Sequence, residues 1–184
     1  MTTKRTKETI TLGSGKLYAL KHTGQVIPPN TTLEVNSNLL GYIKGGAELE
    51  YTPEFYDAID DLGIVQKSVV TGEEVLLRSG IMTWNGDTLA KLSATARVTE
   101  AAGKRTLKIG GLGNQTNDKY ILRFVHTDVV DGDVRITIVG QNRSGFTLAF
   151  TKDDETVIDA EFRAQPSLDA ESTLLLFEET IGTK

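Results

Sequence analysis

Along most of the chain apolar and polar residues alternate one for one, the period of a strand with one side against a core. In KYILRFV, Tyr120, Leu122 and Phe124 share a side; in DVRITIV, Val134, Ile136 and Ile138 point one way while Asp133, Arg135 and Thr137 point the other. GFTLAFT repeats the pattern with Phe146, Leu148 and Phe150, and VIDAEFRA with Ile158, Ala160, Phe162 and Ala164. Each run predicts a half-buried strand. Turn-forming residues separate the runs at Gly45-Gly46, Thr71-Gly72, Ala102-Gly103, Asp131-Gly132, Arg143 to Gly145 and Asp153-Asp154, the spacing of an all-β sandwich or barrel. The expected fold is therefore mainly β, an antiparallel β-sandwich, as a single domain over residues 1–184.

One segment departs from period two. In NGDTLAKLSATA, Asp87 stands where it can cap a helix, and Leu89, Ala90, Leu92 and Ala96 follow at spacings of a helical face. This predicts one short α-helix over 87–96, covering an open end or face of the sandwich. VIPPNTT at 26–32 predicts a loop inside the domain, because Pro28 and Pro29 cannot donate to a ladder.

The run AELEYTPEFYDAIDD at 47–61 carries six carboxylates and no cation. A helix is excluded by Pro53, which would remove a hydrogen bond and clash with the preceding turn. Written as a strand, it places Ala47, Leu49, Tyr51, Phe55 and Ile59 on one side with Asp57 as the single charge among them, and Glu48, Glu50, Glu54 and Asp60 on the other. A central strand disfavours Pro as well, so the expectation is a long β-ribbon at 46–70 that projects from the sheet, turns at Asp61-Leu62-Gly63 and returns through IVQKSVV. Between Lys44 and Gln66 one lysine faces six carboxylates, a local −5 that equals the net charge of the whole chain.

That charge, with a pI near 5.1, opposes tight binding to a phosphate backbone. The chain has no cysteine, which removes thiol, zinc-finger and iron–sulfur chemistry. Its 184 residues suffice to bury about two thirds of the unfolded surface without a metal or disulfide. The basic N-terminus lacks an apolar run behind it and no long apolar segment follows, so a soluble, unexported protein is expected, with no membrane partner.

Candidate chemistry is sparse. Neighbouring carboxylates on one side of one strand read as a solvated surface rather than an acid–base pair, whose members come from separate elements around a pocket. DAIDD and KDDET lack the spacing that wraps calcium. His22 and His126 have no ligand partner at metal-binding spacing. GSGK at 13–16 lacks the earlier glycine and the hydroxyl of a phosphate loop, and GGLGN at 110–114 lacks the third glycine of a dinucleotide site. Trp84 reads as an anchor for the helix start. No catalytic, cofactor or metal residue is expected, and no enzymatic activity.

The order of elements resembles the major tail tube proteins of long-tailed phages and related phage-tail-like particles. GYIKGGAELEYTPEFYDAIDDLG is similar to the glycine-led strand and long projecting loop of that family, NGDTLAKLSA to its single helix, and GFTLAFTKDDETVIDAEFRAQP to its late hairpin. STLLLFEE follows as a closing strand, and the likeness spans residues 8–179. The resemblance implies a structural virion protein, assembled in the host bacterial cytoplasm, whose hexameric rings stack into the tail tube. Its implied partners are its own copies, a tape-measure protein in the lumen, tail terminator and baseplate or distal tail proteins, and a sheath where the tail is contractile. DNA would pass through without specific binding.

On that reading the acids of the ribbon have two placements, the lumen or the junction between rings, and the junction is the expected one. There Glu48, Glu50, Tyr51, Glu54, Phe55, Tyr56, Asp57, Asp60 and Asp61 would meet basic positions such as Lys104, Arg105 and Lys108. Residues 1–7 would form an N-terminal arm. The alternative function is a carbohydrate- or receptor-binding β-sandwich module, in which Trp84 and Tyr120 stack on sugar.

Overall fold

A computed structural model describes residue 11, residues 13–64 and residues 66–181. The expected arm at 1–7 lies outside the described residues. Among the described residues ten strands form: β1 (Lys16–His22), β2 (Leu39–Gly41), β3 (Ile43–Ile59), β4 (Gln66–Ile81), β5 (Arg97–Ala101), β6 (Lys104–Lys108), β7 (Lys119–His126), β8 (Val134–Asn142), β9 (Ile158–Ala164) and β10 (Leu176–Glu179). They pair antiparallel, and the fold is mainly β and sandwich-like, with 49% strand and 9% helix. The main sheet has the order β2-β1-β7-β8-β9-β4-β3, with β10 beside β8, while β5 and β6 form a separate hairpin.

The alternating residues meet one principal core. Leu17, Leu77, Leu122, Ile138, Ile158 and Phe162 from the main sheet pack with Leu89 and Leu92 from the helical segment, and Leu107, Phe146 and Leu148 close over them. A smaller cluster of Leu33, Ile121, Val139 and Leu168 lies against the opposite side of β7 and β8. These two strands are thus covered on both faces, and the expectation that Asp133, Arg135 and Thr137 form a solvent side fails there. Thr137 is fully buried and Arg123, the residue opposite it, is 2% exposed.

A buried guanidinium needs its donors occupied. Arg123 donates through Nε to Thr137 Oγ1 (2.9 Å), through Nη2 to Glu178 Oε2 (3.1 Å), and through Nη1 to Asn30 and Glu34. Arg135 donates to Glu34 as well, at 2.7 Å. The cluster therefore ties β7 and β8 to β10 and to the segment around residue 30.

That segment contains a turn of helix, α1 (Asn30–Leu33), with Pro29 at its N-cap. The loop expected at 26–32 is partly helical, since a proline with φ near −60° is already set for the start of a helix. The second helix, α2 (Gly86–Lys91), is shorter than the expected 87–96 and is capped by Asn85 instead of Asp87. Asn85 Oδ1 accepts from the backbone N–H groups of Asp87 and Thr88 at 2.8 and 3.1 Å, completing a capping box with Thr88. Thr88 Oγ1 and Lys91 Nζ donate to the carbonyls of Leu40 and Ala19, which docks α2 on β2 and β1.

Three further expectations are corrected. Gly45-Gly46 does not separate strands: both residues have φ of 81° and form a bulge inside β3, where a left-handed pair lets the strand shift register and continue. Thr71-Gly72 is likewise a bulge inside β4. The run 145–151 belongs to no ladder. Its Phe146 and Leu148 pack on the core, whereas Phe150, expected on the same side, is 76% exposed. The edges of β9 are engaged by β4 and, at Phe162 and Ala164, by β8.

Leu77, fully buried at the centre of the principal core, should be costly to shorten: Leu77→Ala is expected to lower stability by about 2–5 kcal/mol in urea unfolding. Phe55→Ala, in the projecting ribbon, should change stability by less than about 0.5 kcal/mol in the same measurement.

Candidate functional site

The longest elements of the chain, β3 and β4, pair along their whole length from Ile43↔Ile81 to Ile59↔Gln66. Only the inner part of β4, Leu76 to Ile81, has a second neighbour in β9. Beyond it, Tyr51–Ile59 and Gln66–Val75 stand alone as a two-stranded ribbon about 27 Å long at ~3.4 Å per residue. The projecting part thus covers 51–75 where 46–70 was expected: both arms are offset by five residues, because residues 46–50 lie over the three-stranded root. Gly63 N–H donates to Asp60 O (2.9 Å) and Ile64 N–H to the Asp60 carboxylate (2.6 Å), closing the tip.

The bulge at Thr71 decides which β4 side chains share a side with which β3 residues. Glu54 stands opposite Gly72, but Phe55 stands opposite Val70 and Tyr56 opposite Val69. One side of the ribbon therefore carries Tyr51, Phe55, Ile59 and Val70 with Asp57 among them, continuing the line of the buried Val75 and Leu77 outward from the core. The other side carries Glu54, Tyr56, Val69 and Lys67. Phe55 is 59% exposed and Tyr56 63%, and Leu62 and Ile64 at the tip are exposed as well. Isolated two-stranded ribbons are marginal in water, and this one exposes apolar side chains on both sides.

The acids divide into engaged and unengaged groups. At the root, Arg78 on β4 donates to Glu48 (3.0 Å), Glu50 (2.5 Å) and Glu161 of β9 (2.6 Å). The hydrogen bond from Arg78 holds the Glu50 carboxyl below its ordinary value, and the same carboxylates raise the guanidinium. Tyr51 donates its hydroxyl to Glu73 (2.7 Å), which raises the phenol. Glu54, Asp57 and Asp61 make no ion pair with any described residue.

The basic positions divide in the same way. Strands β5 and β6 pair from Arg97↔Lys108 to Ala101↔Lys104 around a two-residue turn in which Ala102 and Gly103 both have positive φ. Arg105 is on the side that faces α2, where it donates to Glu100 (2.5 Å) and pairs with Asp87 (3.0 Å). Lys104 and Lys108 are on the other side with Arg97 and make no ion pair among the described residues. Arg97 was not among the expected contact residues; a two-residue turn at Ala102-Gly103 would have placed it opposite Lys108. Arg105 is occupied within its own chain.

Other positions offer less. A groove of about 640 Å³ lies at the ribbon root between Gly45, Gly46, Arg78 and Glu161 and is open to solvent. His126 is buried with Nδ1 2.8 Å from Ser14 O, and its Nε2 has no partner among the described residues. Trp84 packs on the core and meets Phe150 edge to face at 6.2 Å, and burial raises the Tyr120 phenol, so neither ring is offered as an open stacking platform. Among the described residues no group of three or more metal-ligating side chains converges, and no helix is long and apolar enough to cross a membrane. No protein-family model matches the chain, and no curated protein is similar to it.

The root clamp has a pH signature. Because Glu50 titrates below 4.5 in the folded chain, its pairing with Arg78 is complete above that value and is lost as the pH falls through the lower, folded one. Hydrogen–deuterium exchange should show steady protection of the root amides from neutral pH down to about 4.5 and a decline below it. Arg78→Met should remove that protection at all pH values while leaving β7 and β8 protected.

Proposed function

We propose that the chain is a self-assembling structural subunit whose copies build a tube, as in the tails of long-tailed phages. The observation that carries this reading is the ribbon: about 27 Å of ladder without a third strand, apolar on both sides and acidic at its tip, has no use in a solitary subunit. Among the described residues the strand order also ends at β2 and β3, each with an outer edge that carries no further strand. Edges of that kind invite pairing with further chains, and closed rings are the ordered way to satisfy them.

In the proposed assembly, six copies form a ring, rings stack, and the ribbon reaches a neighbouring copy. A tape-measure protein and then DNA occupy the lumen, where the net negative charge keeps a polyanion from adhering. The particle would form in the host bacterial cytoplasm, with terminator and baseplate or distal tail proteins at its ends and a sheath where the tail is contractile. The role is geometric, and no bond is made or broken.

Size-exclusion chromatography and negative-stain imaging of the purified chain test the reading. Rings or filaments are expected, and a chain that remains monomeric at high concentration overturns it. Tyr51→Ala and Phe55→Ala should each leave the circular dichroism spectrum unchanged but abolish tubes; normal tubes from both variants would remove the ribbon from the assembly.

A further inference from the structure

On the outward side of the β5–β6 hairpin Arg97 donates to Gly110 O (3.2 Å), but none of the three cations there pairs with a described carboxylate. Arg97 and Lys108 are directly opposite in the register, a like-charge cross-strand pair, and Lys104 follows four residues before Lys108 on the same side. Such pairs destabilise a sheet unless an anion lies over them. The remaining residues on that side are Thr99, Ala101 and Thr106, so no carboxylate is there; Glu100, the acid of the hairpin, is on the opposite side with Arg105.

The ribbon has the reverse composition. From Glu54 to Val70 it carries Glu54, Asp57, Asp60 and Asp61 against Lys67, net −3, while the hairpin from Arg97 to Lys108 carries Arg97, Lys104, Arg105 and Lys108 against Glu100, net +3. The side of the ribbon continuous with the core holds Phe55, Ile59 and Val70 around Asp57 and no cation, since Lys67 is on the other side. An aromatic ring beside a carboxylate is the surface that a cationic side favours: alkyl stems of Lys and Arg cover the apolar residues, and their heads reach the acid and the ring.

We propose that this side of the ribbon docks on the Arg97, Lys104 and Lys108 side of the hairpin in a second copy of the chain, with Asp57 and Asp61 meeting the lysines. The proposal rests on the tube reading and deepens it by naming the receiving surface. Donor and acceptor are different parts of one molecule, so the contact can repeat head-to-tail from copy to copy, as the tube reading requires. Glu48, Glu50 and Arg105 take no part, because each is already engaged within its own subunit.

Charge exchange tests it. Asp57→Lys with Asp61→Lys, and separately Lys104→Glu with Lys108→Glu, should each raise the concentration needed for assembly about tenfold with an unchanged circular dichroism spectrum. An equal mixture of the two variants should assemble again, because each ribbon then meets a hairpin of opposite sign. Since the chain has no cysteine, Ser68→Cys chains mixed with Thr106→Cys chains should give a disulfide-linked pair within the assembled state. Tubes that form from either variant as from wild type, a mixture that stays dispersed, or the absence of that disulfide overturns this contact while leaving the tube reading in place. A wild-type chain that never assembles overturns both. Binding of a duplex DNA oligonucleotide that disappears in the Lys104→Glu/Lys108→Glu variant, with assembly unchanged, would give the hairpin to nucleic acid and overturn the proposal as well.

Discussion

The ladder between β4 and β9, from Leu76↔Arg163 to Ile81↔Ile158, is the attachment on which the projecting half of the molecule depends. On the core side of that ladder β4 buries Leu77 and Ile81 completely; past its end the same strand has only β3 beside it. A two-stranded ribbon gains little by burial, so its order must come from its root. The Arg78 guanidinium reinforces that root across three strands, from Glu48 and Glu50 on β3 to Glu161 on β9. The line of apolar residues running from Leu77 and Val75 to Tyr51 and Phe55 makes the exposed surface an extension of the core, with the same residue types and a different fate.

A second constraint holds the other half of the sheet. Along one edge β8 pairs first with β10 and then, from Gly140, with β9, so two strands lie end to end on a single neighbour. The polar cluster of Arg123, Thr137, Glu34 and Glu178 sits where β10 joins. A buried charge needs its partners in place, which makes such a cluster a device of register more than of net stability. It selects the position of β10 that completes the edge of β8.

Within the subunit, the charges follow a consistent division. Cations near the body of the fold, Arg78, Arg105, Arg123 and Arg135, are engaged by carboxylates of the same chain. Lys104 and Lys108 on the outer side of the hairpin, and Asp57 and Asp61 in the ribbon, make no ion pair with a described residue. A chain with a net charge of −5 thus presents one compact basic surface and one extended acidic one, the two surfaces that the proposed contact between copies would join.

Much of this was legible in the order of the residues. Period-two alternation located β7, β8 and β9, Pro53 ruled out a helix through the acidic run, and parity alone put Asp57 beside Phe55 and Ile59. These are local properties, set by the geometry of an extended backbone whose side chains alternate. What depended on neighbours was not legible. The glycines at 45–46 and 72 are turn residues in isolation and became bulges because β4 lay alongside to be paired. The run 145–151 alternates as well as any strand, yet it joins no ladder, since alternation sets the side a residue takes and not the neighbour it pairs with. Thr137 read as solvent-facing until Arg123 lay over it, held by Asn30, Glu34 and Glu178. Which of the many charges are engaged, Arg105 but not Lys104, was likewise decided by what stood across the gap, because electrostatic energy depends on distance and burial, which only the packed chain possesses.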